Sequence, residues 1–150
     1  MSKRTEKEIS HQEFLSNLNL LVGLPLCHVD PYYQKVDFHF GTYAFDGEDN
    51  FGDYVLYISG FWEILDSGKE VITESASEKN KKNFFDKKLL NSKVKSIKVF
   101  KEPKEIFIEF ENKKMIHCIE EKNRWIEILK RNGELLKSEK NKFYISKIIN

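Results

Sequence analysis

Cysteine is scarce: Cys27 and Cys118 are the two in 150 residues, and they lie far apart. That argues against a disulfide framework and against the short C-x-x-C pairs of structural zinc sites. Long apolar runs are missing as well, since none approaches the roughly 20 residues a membrane-spanning helix needs. Neither sign of charge dominates. Lysine and arginine number 25 against 24 aspartates and glutamates, for a formal net charge of +1. No global field would draw the chain onto nucleic acid or an anionic membrane. Near-neutrality also does nothing to oppose self-association. The opening MSKRTEKEIS lacks the apolar stretch of a secretory leader. The expectation is a cytoplasmic protein with two free thiols and no membrane partner.

What is present is a globular composition, 40% hydrophobic and 33% charged, with an aromatic share of 13% dominated by phenylalanine. Aromatic and β-branched side chains suit pleated, half-buried surfaces. The length fits one domain, 1–150. Residues 1–8 read as a charged, mobile tail. Ser10 followed by Glu13 forms a capping box. Phe14, Leu15, Leu18, Leu21 and Val22 follow at helical spacing until Gly23 and Pro25, which predicts one amphipathic helix over 11–22.

Beyond that helix the apolar pattern has a period of two. Strands are expected at 26–29, 36–40, 54–59, 61–65, 71–73, 94–100, 106–110, 115–119, 125–129 and 143–149, with a loop at 41–52. Residues 74–93 are polar and lysine-rich, anchored by Phe84 and Phe85, and read as a connection. The segments on either side resemble each other. DFHFG, YVLYIS and FWEILDSGKEVI in the first correspond to FIEFEN, MIHCIEE and RWIEILKRNGELL in the second. Phe40 then matches Phe110, and Trp62 matches Trp125. The expected fold is mainly β (α+β): one N-terminal helix and two similar antiparallel meanders, about 24–73 and 94–149, packed as a sandwich or partly open barrel.

Chemistry-bearing residues are few. His28, His39, His117, Cys27 and Cys118 are the candidate metal ligands, but Cys27-His28 and His117-Cys118 are adjacent pairs whose members point to opposite faces of a strand. No metal or cofactor is assigned. No nucleophile elbow is present, and Cys118 sits in an apolar strand where cysteine packs as a small hydrophobe. Lys79, Lys81, Lys82, Lys87 and Lys88 surround Phe84 and Phe85, as on a single-strand platform, yet the two rings suit core anchors better. Nucleic acid is not the expected partner. The remaining constellation is acidic: Asp46, Glu48, Asp49 and Asp53, with Tyr43, in the long first loop. It lacks the glutamate an EF-hand needs for bidentate calcium binding.

The segments LVGLPL, DFHFG and YVLYISGFWEI resemble an uncharacterised family of short bacterial proteins with a G-L-P-L entry, an F-H-F-G strand and a Y-x-L-x-I strand running into W-x-I. The likeness covers most of the chain. Cys27 stands where that family commonly has an aromatic, and Glu63 where it has arginine. Some small bacterial families of this look serve as immunity proteins for polymorphic toxins, and the resemblance supplies no catalytic residue. The expected function is therefore a non-enzymatic, cytoplasmic protein-binding module, most concretely an immunity protein. Its acidic loop (Tyr43, Asp46, Glu48, Asp49, Asp53) would meet a basic toxin domain. The alternative is a β-barrel or sandwich holding a small molecule between its halves. Phe61, Tyr57 and Tyr43 suit a homodimer face as well as a core.

Overall fold

The period-two pattern builds two antiparallel sheets in the computed structural model, which describes residues 3–32, 35–42, 44–46, 49–100, 105–119, 126–130, 133–139 and 142–149. With strands numbered along the chain, the larger sheet runs in the order β1 (Lys3–Ile9), β14 (Lys142–Ile149), β13 (Leu135–Glu139), β12 (Ile126–Lys130), β6 (Tyr54–Ile58), β3 (Lys35–Phe40), β2 (Leu26–Tyr32). The smaller sheet runs β8 (Lys69–Thr73), β7 (Phe61–Asp66), β11 (Lys114–Ile119), β10 (Glu105–Phe110), β9 (Val94–Phe100). β4 (Ala44–Asp46) and β5 (Asp49–Phe51) form a separate hairpin inside the long first loop. Each sheet ends on two edge strands, so the molecule is a mainly β sandwich and not a closed barrel. Among the described residues no helix is long and apolar enough to cross a membrane.

Helix α1 (His11–Leu18) begins where the capping box places it, with the Ser10 hydroxyl accepting from the Glu13 N–H at 3.1 Å, and continues as a 3₁₀ turn, Asn19–Leu21. Phe14, Leu18 and Leu21 are its buried face.

Two expectations need correction. Residues 3–9 are not a tail: they form β1, paired antiparallel along the length of β14. Its side chains are charged apart from Thr5 and Ile9, but an edge strand is held mainly by backbone hydrogen bonds. Nor is 74–93 a plain connection. It holds α2 (Glu78–Phe84) and a π-turn, Phe85–Leu89. Ser77 caps that helix through the Asn80 N–H at 3.1 Å, and Phe85 and Leu89 are buried. Lys81 is buried as well, its ammonium 5.5 Å from the centre of the Trp62 ring, and burial lowers its affinity for the proton.

The two halves are interleaved. Each starts with a serine-capped helix, and two residues past each helical segment the chain turns at a positive φ, Gly23 (89°) after Leu21 and Asn91 (70°) after Leu89. Each then lays three strands in one sheet, β2-β3-β6 or β9-β10-β11, before crossing to the other, β7-β8 or β12-β13. Exchanging the halves maps β13-β12-β6-β3-β2 onto β8-β7-β11-β10-β9, strand for strand. The joint between them obeys the same exchange. Gly23 N donates to Val94 O (2.8 Å) as Asn91 N does to Leu26 O (2.8 Å). Gly41 N donates to Pro25 O (2.9 Å) as Glu111 N does to Lys93 O (3.0 Å). The Phe40 and Phe110 rings stack across the centre of the core, 6.4 Å apart at 12°. The tryptophan match shifts by one residue. The registers Trp62↔Cys118 and Ile126↔Ile58 make Ile126 the counterpart of Trp62, and Trp125 lies outside the described residues.

Candidate functional site

Alternation along β3 sends Val36, Phe38 and Phe40 into the core and leaves Asp37 and His39 on the outer face. The antiparallel register then sets His28 opposite His39 and Asp30 opposite Asp37. His28 Nε2 donates to one Asp30 oxygen at 2.8 Å, while His39 Nε2 stands 3.6 Å from the other. The hairpin loop covers part of this cluster. Its last glycine lies on β3 so closely that a Cβ at Gly52 would sit 2.9 Å from Phe40 O and 3.0 Å from His39 Cβ. Gly52 N–H donates to His39 Nδ1 at 3.1 Å, and His39 is 4% exposed.

That bond settles the imidazole's chemistry. Nδ1 accepts, so the neutral ring carries its proton on Nε2, the nitrogen facing Asp30. A metal ligand needs the reverse, a donating second nitrogen and a bare one toward the metal. Among the described residues no group of three or more His, Cys, Asp or Glu side chains is placed to hold a metal ion. Burial, and then the neighbouring His28, lower the pKa of His39 below its ordinary 6.5. Asp37 moves the other way, up to about 6, through burial and then the charge of Asp30 beside it, with Lys35 opposing.

The foot of the loop is also pinned by Asp53, whose carboxylate accepts the Thr42 N–H at 2.8 Å. Gly41 bends beneath it at φ 96°, where a Cβ would collide with that carboxylate. Of the five residues the sequence pointed to, Asp53 is thus a clasp at the base. Asp46 and Asp49 face each other across the hairpin at the ends of β4 and β5. Tyr43 and Glu48 lie outside the described residues. Asp30 and Asp37, acids that lie near the loop in sequence, were not among those five, and the β2–β3 register sets them side by side. Tyr57 and Phe61 are half-buried on the outer faces of β6 and β7, and Tyr43 cannot be placed with them.

A second polar cluster lies on the smaller sheet. His117 is clasped by Glu63 at Nδ1 (2.7 Å) and Glu105 at Nε2 (3.0 Å), and its ring stacks on Phe107 at 4.3 Å. The two carboxylates grip opposite nitrogens of the ring and tie β7, β10 and β11 together. Cys118, the next residue, points into the core, where burial pushes its thiol up to about 12. A scan against protein families finds no model that matches this chain, and neither the curated proteins nor the solved structures contain a match.

Proposed function

We propose that the chain is a non-enzymatic protein-binding module whose acidic face, built on β2, β3 and the 41–53 loop, docks a basic protein surface. Its most concrete form is an immunity protein that blocks a bacterial toxin domain. One observation carries the reading. Asp30 and Asp37 are set side by side, and burial, with the Asp30 charge added to it, holds the Asp37 carboxyl near 6. A cationic group laid on that face would relieve a repulsion the fold otherwise tolerates. The loop above it, GTYAFDGEDNFGD, has four acids and no lysine or arginine. It is anchored at its base by Gly52 and Asp53.

The small-molecule alternative gains less support. Trp62, Phe38, Phe85, Phe40 and Phe110 fill the space between the sheets with ring-to-ring contacts.

The test is co-expression with the product of the adjacent gene, followed by gel filtration. A 1:1 complex is expected, and Asp30→Lys/Asp37→Lys should weaken it by about 100-fold, because each reversal sets like charge against the partner. A complex indifferent to those reversals, or no complex at all, would sink the reading.

A further inference from the structure

We infer that His39 is a pH-sensitive latch: its neutral ring holds the Gly52 end of the 41–53 hairpin against β3, and a second proton on the ring releases it. Only contacts within this chain are involved, and no partner is needed.

Gly52 N–H can only donate, and it meets His39 Nδ1 at 3.1 Å. The neutral ring, with its proton on Nε2, offers the lone pair that this contact requires. The imidazolium offers none, because both of its nitrogens then donate. A second proton would therefore set two N–H groups against each other. Gly52 is buried and His39 is 4% exposed, so water is poorly placed to replace the lost acceptor. A buried donor left without an acceptor is costly. Gly52 also has little room to shift in place. Its backbone lies so near β3 that a Cβ would stand 2.9 Å from Phe40 O and 3.0 Å from Phe40 N. The way to relieve the clash is for the Gly52 end to lift.

The base of the hairpin is held by a different bond. Thr42 N–H donates to the Asp53 carboxylate at 2.8 Å, and that pair does not involve the ring. Release is therefore local to Gly52 and to β5, which leads into it. It uncovers the outer face of β3 at His39.

The neighbours set the direction of the switch. From β2, Asp30 stands 3.6 Å from Nε2 and the His28 ring lies edge-on at 5.3 Å. Lys35 and Asp37 share the outer face of β3 itself. From β6 the residue opposite is Val55, which is uncharged, with Tyr57 next on that face. The Cys27 thiol donates to the carbonyl of His39 at 3.3 Å. Asp30 favours the charged ring, but burial and His28 oppose it and prevail, so the ring titrates below its ordinary 6.5. The latch is closed at neutral pH and opens as pH falls below that value. Asp37 takes up its proton near 6, in the same window, and the test must separate the two.

The test is amide exchange in the ¹⁵N-labelled full chain, followed by NMR from about pH 8 to about pH 5, with the His39 ring nitrogens read in the same samples. Protection is taken relative to the intrinsic exchange rate at each pH. Below the midpoint of the ring, Gly52 protection should fall about tenfold per pH unit, while Thr42 keeps its own. His39→Asn offers an amide oxygen that accepts without titrating, and should hold Gly52 protected across the range. His39→Ala should leave Gly52 unprotected already at about pH 8. Asp37→Asn should retain the pH response, which separates the ring from the carboxyl. The first readout uses the parent chain, so it decides whether or not the variants fold. Gly52 protection that ignores the titration of the ring would overturn the inference, as would a ring that stays neutral down to about pH 5. A His39→Asn chain that keeps the parent's fall in protection would also overturn it, and would assign the response to His28, Asp30 or Asp37.

Discussion

Corresponding strands carry opposite surfaces in the two halves. On β2 and β3 the outward residues are His28, Asp30, Asp37 and His39, partly covered by the 41–53 loop. On β9 and β10 the same places hold Ser96, Lys98, Phe107 and Glu109, which line an open, shallow groove with Phe100 and Met115. The inward residues changed far less: Val36, Phe38 and Phe40 face Ile106, Ile108 and Phe110 in kind, all fully buried. A shared core constrains both halves alike, because every inward change must fit neighbours at crystal-like density. Outward positions are released from that demand and can diverge into a charged face on one side and an aromatic one on the other.

The largest test of this equivalence is at the centre. Phe40→Ala and Phe110→Ala should each lower the unfolding free energy by about 3–5 kcal/mol. Because the two rings stack on each other, the losses should agree within about 1 kcal/mol in denaturant titrations. A gap of several kcal/mol would break the equivalence.

A smaller effect sharpens the contrast between faces. His117→Ala leaves Glu63 and Glu105 without the ring both bond to, and should cost about 2–3 kcal/mol. Combining it with Glu63→Gln and Glu105→Gln should recover most of that loss, which a thermodynamic cycle measures.

The smallest effect is a gain. Asp37 releases its proton near 6 in the folded chain, against 3.8 as its ordinary value. Folding therefore takes up a proton between these limits, and stability falls as pH rises through them. Asp37→Asn should stabilise the chain above pH 6 by about 1–2 kcal/mol and change nothing below about pH 4. His39 acts in the opposite sense: its folded pKa is lowered, so its share of stability is lost as pH falls below 6.5. Equal stability of Asp37→Asn and the parent at pH 8 would remove the idea that this face carries a cost.

Strand alternation made most of the fold legible, since Val36-Phe38-Phe40 and Ile106-Ile108-Phe110 each declare an inward face. The Ser67-Gly68 turn was equally plain, both residues having positive φ. β1 was hidden because only Ile9 is apolar, and strand pairing through the backbone leaves no side-chain signature. α2 was hidden because it has no continuous apolar stripe. Its clue was Ser77, which stands to α2 as Ser10 stands to α1. For the site, acidic composition pointed at the loop, but the pairing of Asp30 with Asp37 depends on register, and register is set by long-range contacts.

The interleaving of the halves also governs how the chain comes together in time. β6 and β7 are made early, yet their missing neighbours, β12 and β11, belong to the second half. A nascent chain ending after β8 thus holds two unpaired strand edges and an uncovered apolar face. Such distant pairings must close large loops before they are rewarded, which slows folding. The molecule therefore passes through a stage that needs protection from its own neighbours, and its exposure to aggregation is greatest during synthesis, not after it.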